Sequence, residues 1–192
     1  MITNISCVLI AKNAEATLRE VLESLDSFQD VVVYSNNSTD KTDAIAQSFS
    51  NVTLINGDFL GFGPTKNKAA SYAKNDWILS LDADEVLSQE LVIELSHLKL
   101  KENFVYSLLR KNYYKKQQIK YCWGNDILTR LYNKQITSFT DAKVHEYIIK
   151  NSLESLQLTG DIKHYPYSTV SDFIIKLDRY STIFAEEHVG KK

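Results

Sequence analysis

Apolar stretches of strand length alternate with helix-like stretches through residues 1–100, and this alternation is the strongest constraint on the fold. Between the apolar runs, apolar residues recur at the spacing of three and four that indicates an amphipathic helix. Strands that are apolar throughout and separated by helices are typical of a parallel sheet covered on both faces. The sequence therefore predicts a doubly wound α/β domain, with strands at 5–11, 31–34, 52–55 and 77–81.

The second half of the chain departs from this pattern. Strand-like stretches at 104–110 and 127–133 have longer connections, and a helix is predicted over 170–187. The length of 192 residues suits one domain, or one domain with a small lobe. The predicted final helix carries apolar side chains on one face: Phe173, Ile174, Leu177, Tyr180 and Phe184.

Composition points to a globular protein without a strong overall field. Hydrophobic residues make up 44% and charged residues 24% of the chain, and the net charge is −2. A nucleic-acid partner is therefore not expected, and any charged partner must be bound by a local patch of charged residues. Cys7 and Cys122 lie far apart, which favours a reducing compartment over a disulfide framework. With no secretory signal pattern, we expect a cytoplasmic protein that can rest on the inner face of the membrane.

Three carboxylates follow the fourth predicted strand, in the stretch WILSLDADEVLS. Asp82 and Asp84 come at the point where ligands bind on such sheets, outside the carboxyl ends of the strands. Divalent cations such as Mg²⁺ take oxygen ligands and often bridge one or two carboxylates to phosphate. One aspartate can then hold a metal and the other a neighbouring hydroxyl. The alternative is a solvated acidic turn before a helix that starts near Ser88.

A glycine-led helix start, GFGPTKN, precedes the same sheet edge. Glycines let the backbone approach a ligand, and helix N-termini attract anions. Lys66, one turn into this helix, can reach a phosphate or can be a solvated surface lysine. The segment is not a P-loop, and no G-x-G-x-x-G follows the first strand. Both absences count against an ATPase and a nicotinamide-dependent dehydrogenase.

Taken in order, ISCVLIAKNAEATLREVLESL, VVVYSNNSTDKT, LGFGPTKNKA, NDWILSLDADEVLS, LTRLYNK, VHE and GDIKHY resemble one family along nearly the whole chain. The chain is similar to family 2 glycosyltransferases of the GT-A fold, in particular to lipooligosaccharide core glucosyltransferases that modify heptose. The resemblance implies a Rossmann-like, mainly parallel sheet with helices on both faces and a smaller acceptor-side half. It also implies a UDP-sugar donor, Mg²⁺ or Mn²⁺, and inversion at the anomeric carbon.

By this resemblance, Asp84 is the expected metal ligand and Asp82 contacts the ribose or the sugar of the donor. Glu85 is expected to support the site or to begin the next helix. His164 in GDIKHY matches the late histidine that often completes the metal site, although a single histidine can also be a structural hydrogen-bonding residue. Lys66 is expected on the donor side.

Residues after the first two strands are expected to line the nucleoside. Ala11 and Asn13 follow the first strand, and Asn36 follows the second. Many relatives carry aspartates after the second strand, where they bind the base, whereas this chain has Ser35 and Asn36. An Asn amide offers both a donor and an acceptor to a uracil edge. The difference leaves the identity of the base open.

An inverting transfer needs a general base for the acceptor hydroxyl. The resemblance assigns this role to Glu146 of VHE, with Asp126 and Asp141 as alternatives. Glu146 can instead pair with a basic residue such as Arg130 and hold the floor of the site.

The segment 110–121 contains five basic residues and no acid. Its aromatic rings can stack on a sugar, and its lysines can meet phosphates of a lipid-linked glycan or an anionic membrane. A solvated face is the alternative. We expect acceptor binding by Tyr113, Tyr114, Lys115, Lys116 and Trp123.

Two other functions remain open at this stage. A sugar nucleotidyltransferase also uses a metal on an α/β sheet, but its glycine-rich segment after the first strand is replaced here by AKNAEATL. A carbohydrate-binding module without catalysis fits Ser35 and Asn36, but not the intact set of acids. We expect residues 1–100 to bind the donor and residues 101–192 to form the acceptor side of one domain. Because related chains continue past the final helix, we also expect a C-terminally truncated member.

Overall fold

The computed structural model describes residues 1–115, 117–121, 125–167 and 169–188. Strands and helices alternate up to residue 97, after which strands predominate until a final helix. The elements are β1 (Ile2–Ala11), α1 (Leu18–Glu23), β2 (Phe28–Ser35), α2 (Thr42–Gln47), β3 (Val52–Asn56), α3 (Phe62–Ser71), β4 (Trp77–Asp82), β5 (Glu85–Leu87), α4 (Gln89–His97), β6 (Phe104–Tyr114), β7 (Gln117–Gln118), β8 (Asn125–Asn133), β9 (Glu154–Tyr167) and α5 (Val170–His188).

The first four predicted strands form the parallel half of the sheet, in the order β3-β2-β1-β4. Their apolar composition is explained by burial on both faces, since helices cover the sheet from either side. In β1, Cys7 and Leu9 belong to the core that includes α1 and α4. The alternate residues Val8 and Ile10 belong to the core that includes α3. The predicted α/β architecture with helices on both faces is confirmed.

The second half extends the same sheet rather than building a separate core. β8 pairs antiparallel with β4, β6 pairs antiparallel with β8, and β9 pairs parallel with β6. The short strand β5 then pairs antiparallel with β9, and β7 pairs with β6. The sheet is therefore mixed, and strands from both halves meet at the edge where β4 ends.

Three strands were not predicted from the sequence: β9, β5 and the two-residue strand β7. β9 runs over fourteen residues, ESLQLTGDIKHYPY, and much of it is polar and exposed or half-buried. It lacks the solid apolar pattern by which the parallel strands are recognised. β5 has only three residues, which is too short for a periodic pattern.

The final helix α5 lies where the sequence predicted a helix. Its described apolar side chains are largely outside the core, since Ile174 and Leu177 are 59% and 57% exposed. Val170 and Ile175 are exposed as well. Within the described part of the chain, no helix combines the length and apolar character needed to cross a membrane.

Candidate active site

A cleft of about 1230 Å³ opens at the carboxyl end of the parallel strands. Its walls come from both halves of the chain, because the ends of β1 and β4 meet strands β8 and β9 and the loop 139–150 there. This is the edge at which ligands bind on doubly wound sheets. Seven of the residues expected in the site line the cleft: Ala11, Asn13, Asn36, Asp82, Asp84, Glu146 and His164.

Asp82, at the end of β4, is held by two cations. Its Oδ1 lies 2.9 Å from Nζ of Lys66, and its Oδ2 lies 2.9 Å from Nη2 of Arg130. Burial favours the neutral acid, but the charges of Lys66 and Arg130 outweigh it and hold the pKa of Asp82 well below its usual range. The carboxylate is therefore ionised and fixed in place before any ligand binds.

Lys66 also holds the proposed base. Its side chain is only 3% exposed, and its Nζ lies 2.7 Å from Oε1 of Glu146. The ammonium group also lies 5.2 Å from the ring centroid of Phe139, on the loop that carries Glu146. The ammonium group of Lys66 is thus paired with two carboxylates of the protein, and its expected contact with the sugar donor stays a prediction. Glu146 thus has a cation partner, but that partner is Lys66 and not Arg130.

Close packing of α3 against the loop 139–148 explains how Lys66 reaches Glu146. The amide of Gly63 donates to the carbonyl of Ala142 at 3.1 Å, and the amide of Phe62 donates to the carbonyl of Lys143 at 3.0 Å. A Cβ on Gly63 would lie 1.8 Å from the carbonyl oxygen of Thr140. This glycine therefore allows a close approach between two segments of the protein itself.

Glu85 lies fully buried beneath the cleft and organises two arginines. Its Oε1 lies 2.5 Å from Arg130 and 3.2 Å from Arg110. Its Oε2 accepts from the backbone N–H of Asp82 at 3.0 Å. Arg110 also pairs with Asp126 at 2.9 Å. Burial opposes the charge of Arg130, but Glu85 and Asp82 outweigh it and raise the pKa of this guanidinium.

Sequence reasoning did not place Arg110 in the site, and it considered Arg130 only as a possible partner of Glu146. Each belongs to an otherwise strand-like stretch, and in β6 and β8 their side chains face the acids at the end of β4. A usable signal was present, because buried acids require compensating cations. An arginine inside an apolar strand pattern, as in LTRLYN, is a candidate for that partner.

Strand register brings Asp84 and His164 together. β5 pairs with β9 so that Glu85 lies opposite His164, and the carbonyl of Asp84 accepts from the amide of Tyr165 at 2.9 Å. Nε2 of His164 then lies 3.5 Å from Oδ1 of Asp84. On the other side of the ring, Nδ1 lies 2.6 Å from Oδ1 of Asn112. Since an amide oxygen only accepts, Nδ1 carries the hydrogen, and a neutral ring keeps its lone pair on Nε2.

The pair formed by Asp84 and His164 fits a divalent cation that takes its other ligands from a substrate and from water. Among the described residues, no group of three or more His, Cys, Asp and Glu side chains could hold a metal. Mg²⁺, however, is commonly bound by one or two carboxylates together with substrate phosphates and water. Burial opposes ionisation of Asp84, but His164 and Lys176 outweigh it and lower the pKa of this carboxyl. Asp84 thus offers the cleft an anionic oxygen beside the imidazole ring of His164.

The far end of the cleft is built from the loops after β1 and β2. The amide of Asn36 donates to the carbonyl of Ala11 at 2.8 Å, and Oδ1 of Asn13 accepts from the amide of Thr39 at 2.8 Å. The side chain of Asn36 donates to the carbonyl of Gly57 at 3.4 Å. These bonds join the two loops into one wall, on which the polar edge of Asn36 lies.

The residues expected to bind the acceptor lie outside the cleft wall or outside the described residues. Tyr113 contacts Tyr165 with ring centroids 5.5 Å apart, and Tyr165 lines the cleft. Nζ of Lys115 lies 5.6 Å from the ring centroid of Tyr114. Lys116 and Trp123 lie outside the described residues, as does Cys122.

Of the two alternative bases, neither lines the cleft among the described residues. Asp141 is exposed on the loop before Glu146, and Asp126 pairs with Arg110 while its side chain stays 41% exposed. Three tyrosines that line the cleft were not selected by sequence reasoning: Tyr147, Tyr165 and Tyr167.

The chain is similar to known proteins along most of its length. It is 31% identical over 206 residues to glycosyltransferase RP128 of Rickettsia prowazekii, covering 98% of this chain and 70% of that protein. It is 27% identical over 203 residues to the lipopolysaccharide core biosynthesis glycosyltransferase LpsC of Rhizobium meliloti, covering 98% and 73%.

Solved structures share the fold. S. aureus TarS 1–349 in complex with UDP superposes with a TM-score of 0.59 at 15% identity, covering 94% of this chain and 65% of that one.

The sequence profile described as Glycosyl transferase family 2 matches residues 6–160. With its acids at the end of β4 and this match over most of its length, the chain belongs to glycosyl transferase family 2.

Proposed function

We propose that this glycosyltransferase moves a sugar, expected to be glucose, from a UDP-sugar to a glycan acceptor with inversion at the anomeric carbon. The observation that carries the proposal is the position of Lys66. This one buried cation joins Asp82, expected on the donor side, to Glu146, expected to act on the acceptor. The carboxylate expected to contact the sugar donor and the expected base are held by the same ammonium group, so the two halves of a transfer site lie side by side.

On the donor side, Asp84 and His164 would hold Mg²⁺ or Mn²⁺. When bound, the cation neutralises charge on the diphosphate that leaves. Asp82 would accept hydrogen bonds from ribose or sugar hydroxyls, since its two oxygens are fixed by Lys66 and Arg130. Asn36, with Ala11 and Asn13 beside it, would contact the nucleoside. In this proposal residues 1–100 supply most of the donor site.

On the acceptor side, Glu146 would take the proton of the attacking hydroxyl. The acceptor oxygen bonds to the anomeric carbon as the bond from that carbon to the diphosphate oxygen breaks, and UDP leaves. Lys66 holds the Glu146 carboxylate at 2.7 Å and so restricts its orientation. Residues 101–192 would supply the acceptor side, with Tyr113 and the adjoining basic segment at its rim.

The acceptor is proposed to be a lipooligosaccharide core or a similar glycan, lipid-linked and met at the inner face of the cytoplasmic membrane. Support comes from the similarity to LpsC, whose name assigns it to lipopolysaccharide core biosynthesis. Lys115, Lys116 and Lys120 in the segment 110–121 fit an acceptor that carries phosphate. The cytoplasm is the compartment proposed for this reaction, because nucleotide sugars would be supplied there.

The test is a donor screen that measures UDP release with Mg²⁺ or Mn²⁺ and a heptose-containing core acceptor. UDP-glucose is expected to give acceptor-dependent turnover. TarS has been crystallised with UDP and UDP-GlcNAc, so UDP-GlcNAc is the first competitor to include. Pyrophosphate release from UTP and a sugar 1-phosphate would instead identify a nucleotidyltransferase. Binding of glycan without turnover on any donor would identify a binding module.

A further inference from the structure

Lys176 of α5 lies against the expected metal ligand. Its Nζ is 3.5 Å from Oδ2 of Asp84. The same ammonium group donates to the carbonyl of Pro166 at 2.8 Å and lies 5.4 Å from the ring centroid of Tyr167. Lys176 and Tyr167 both line the cleft. The end of β9 therefore orients this lysine toward the site.

Among the described side chains of α5, Phe173 packs on β9, with its ring centroid 5.1 Å from that of Tyr167. The apolar side chains Ile174, Ile175 and Leu177 are between 57% and 66% exposed, so they do not draw the helix into the core. The polar side chains Asp172 and Lys176 face the cleft instead. The placement of α5 thus presents charged groups to the site.

Asp84 has a positive or ligating group on each oxygen. His164 lies beside Oδ1 and Lys176 beside Oδ2, both at 3.5 Å. A divalent cation on Asp84 would repel an ammonium group at this distance, because two like charges a few ångströms apart interact strongly outside bulk water. The ammonium has three donors and binds phosphate as a point charge. A diphosphate that shares the cation with Asp84 would offer it new anionic oxygens.

We propose that Lys176 binds the diphosphate of the donor, after neutralising Asp84 in the free enzyme. With Asp84 holding a divalent cation, the ammonium group of Lys176 would turn to the diphosphate oxygens and would stabilise UDP as the leaving group. This inference rests on the proposed function, because it requires a nucleoside diphosphate donor. Lys176 therefore competes for Asp84 with a divalent cation alone, but it does not compete with a cation that is bound together with UDP.

The experiment compares wild type with Lys176→Met, Lys176→Arg and the control Lys99→Met, which removes an exposed lysine beyond α4. UDP and uridine are titrated in saturating Mn²⁺. Binding of Mn²⁺ alone is measured separately, from the signal of the ion that remains free in solution. Lys176→Met is expected to lose UDP affinity by roughly tenfold, as for one charge-assisted contact, with unchanged uridine affinity. It is also expected to bind Mn²⁺ alone more tightly. Lys176→Arg keeps the charge and should retain most UDP affinity, and Lys99→Met should match wild type.

Equal UDP affinity in wild type and Lys176→Met would overturn the inference and leave Lys176 as an attachment of α5 to β9. Equal losses of UDP and uridine would overturn it as well, because they indicate a structural effect. Weaker binding of Mn²⁺ alone by Lys176→Met would contradict the competition for Asp84. If wild type itself fails to bind UDP in Mn²⁺, the proposed function fails and the inference fails with it.

Discussion

Nζ of Lys66 lies 2.7 Å from Oε1 of Glu146, although 80 residues separate them in the chain. The same ammonium group lies 2.9 Å from Asp82. This contact links the helix after β3 to the loop after β8, and it fixes the proposed base relative to the proposed donor carboxylate. The role of each residue can be separated by substitution.

Glu146→Gln is expected to abolish most turnover while UDP binding persists. The substitution keeps the shape of the side chain and removes the basic oxygen, and general-base catalysis typically contributes ~10² to 10⁴-fold. Turnover and UDP affinity should be measured on the same preparation. Asp126→Asn and Asp141→Asn are the matched comparisons, since neither residue lines the cleft. Full activity in Glu146→Gln with loss in one of these two would move the base to that residue.

Lys66→Met is expected to destabilise the fold as well as to impair turnover. The change leaves Asp82 and Glu146 without their shared cation in a site where Lys66 is 3% exposed. Breaking a buried ion pair by removing one partner costs about 3 kcal/mol or more. Urea unfolding should show this loss, whereas Lys68→Met, two residues along the same helix and exposed, should change stability little. Wild-type stability in Lys66→Met would mean that the carboxylates do not depend on this lysine.

Asp82 should make stability depend on pH in the acid range. Lys66 and Arg130 hold its pKa well below the usual value against the opposing effect of burial. The stabilisation is complete above the unfolded-state pKa, about 3.9, and is lost as pH falls through the folded-state pKa. The stability difference between wild type and Asp82→Asn should therefore be constant near neutrality and shrink below about pH 4. A difference that grows on acidification would contradict the ion-pair assignment.

Gly63→Ala should disrupt the contact that positions Glu146. In an exposed helix, replacing glycine by alanine favours the helix by roughly 1 kcal/mol. Here the new Cβ would lie 1.8 Å from the carbonyl oxygen of Thr140, so α3 or the loop must shift. We expect Gly63→Ala to have lower thermal stability and lower turnover. Ser71→Ala, at the exposed end of the same helix, is the control and should be unaffected. A stabilised, fully active Gly63→Ala would show that the loop does not depend on this close approach.

Local pattern was sufficient to predict the parallel half of the fold and the acids at its edge. Strands buried on both faces must be apolar throughout, so β1 to β4 could be recognised, and the position of Asp82 after such a strand followed. β9 could not be predicted because its polar residues follow no buried-strand pattern. The contacts of Arg110, Arg130 and Lys176 with Glu85, Asp82 and Asp84 were not predicted, for another reason. They arise from tertiary pairing across tens of residues, and no local spacing tells which acid each cation contacts.

Asp84 is proposed to bind the donor diphosphate through a divalent cation. Calorimetric titration of UDP into wild type and Asp84→Ala, each with Mn²⁺ and again with chelator, tests this role. Wild type with Mn²⁺ is expected to bind UDP at least tenfold more tightly than the other three samples, a difference of about 1.4 kcal/mol. Equal UDP affinity in all four titrations would contradict it.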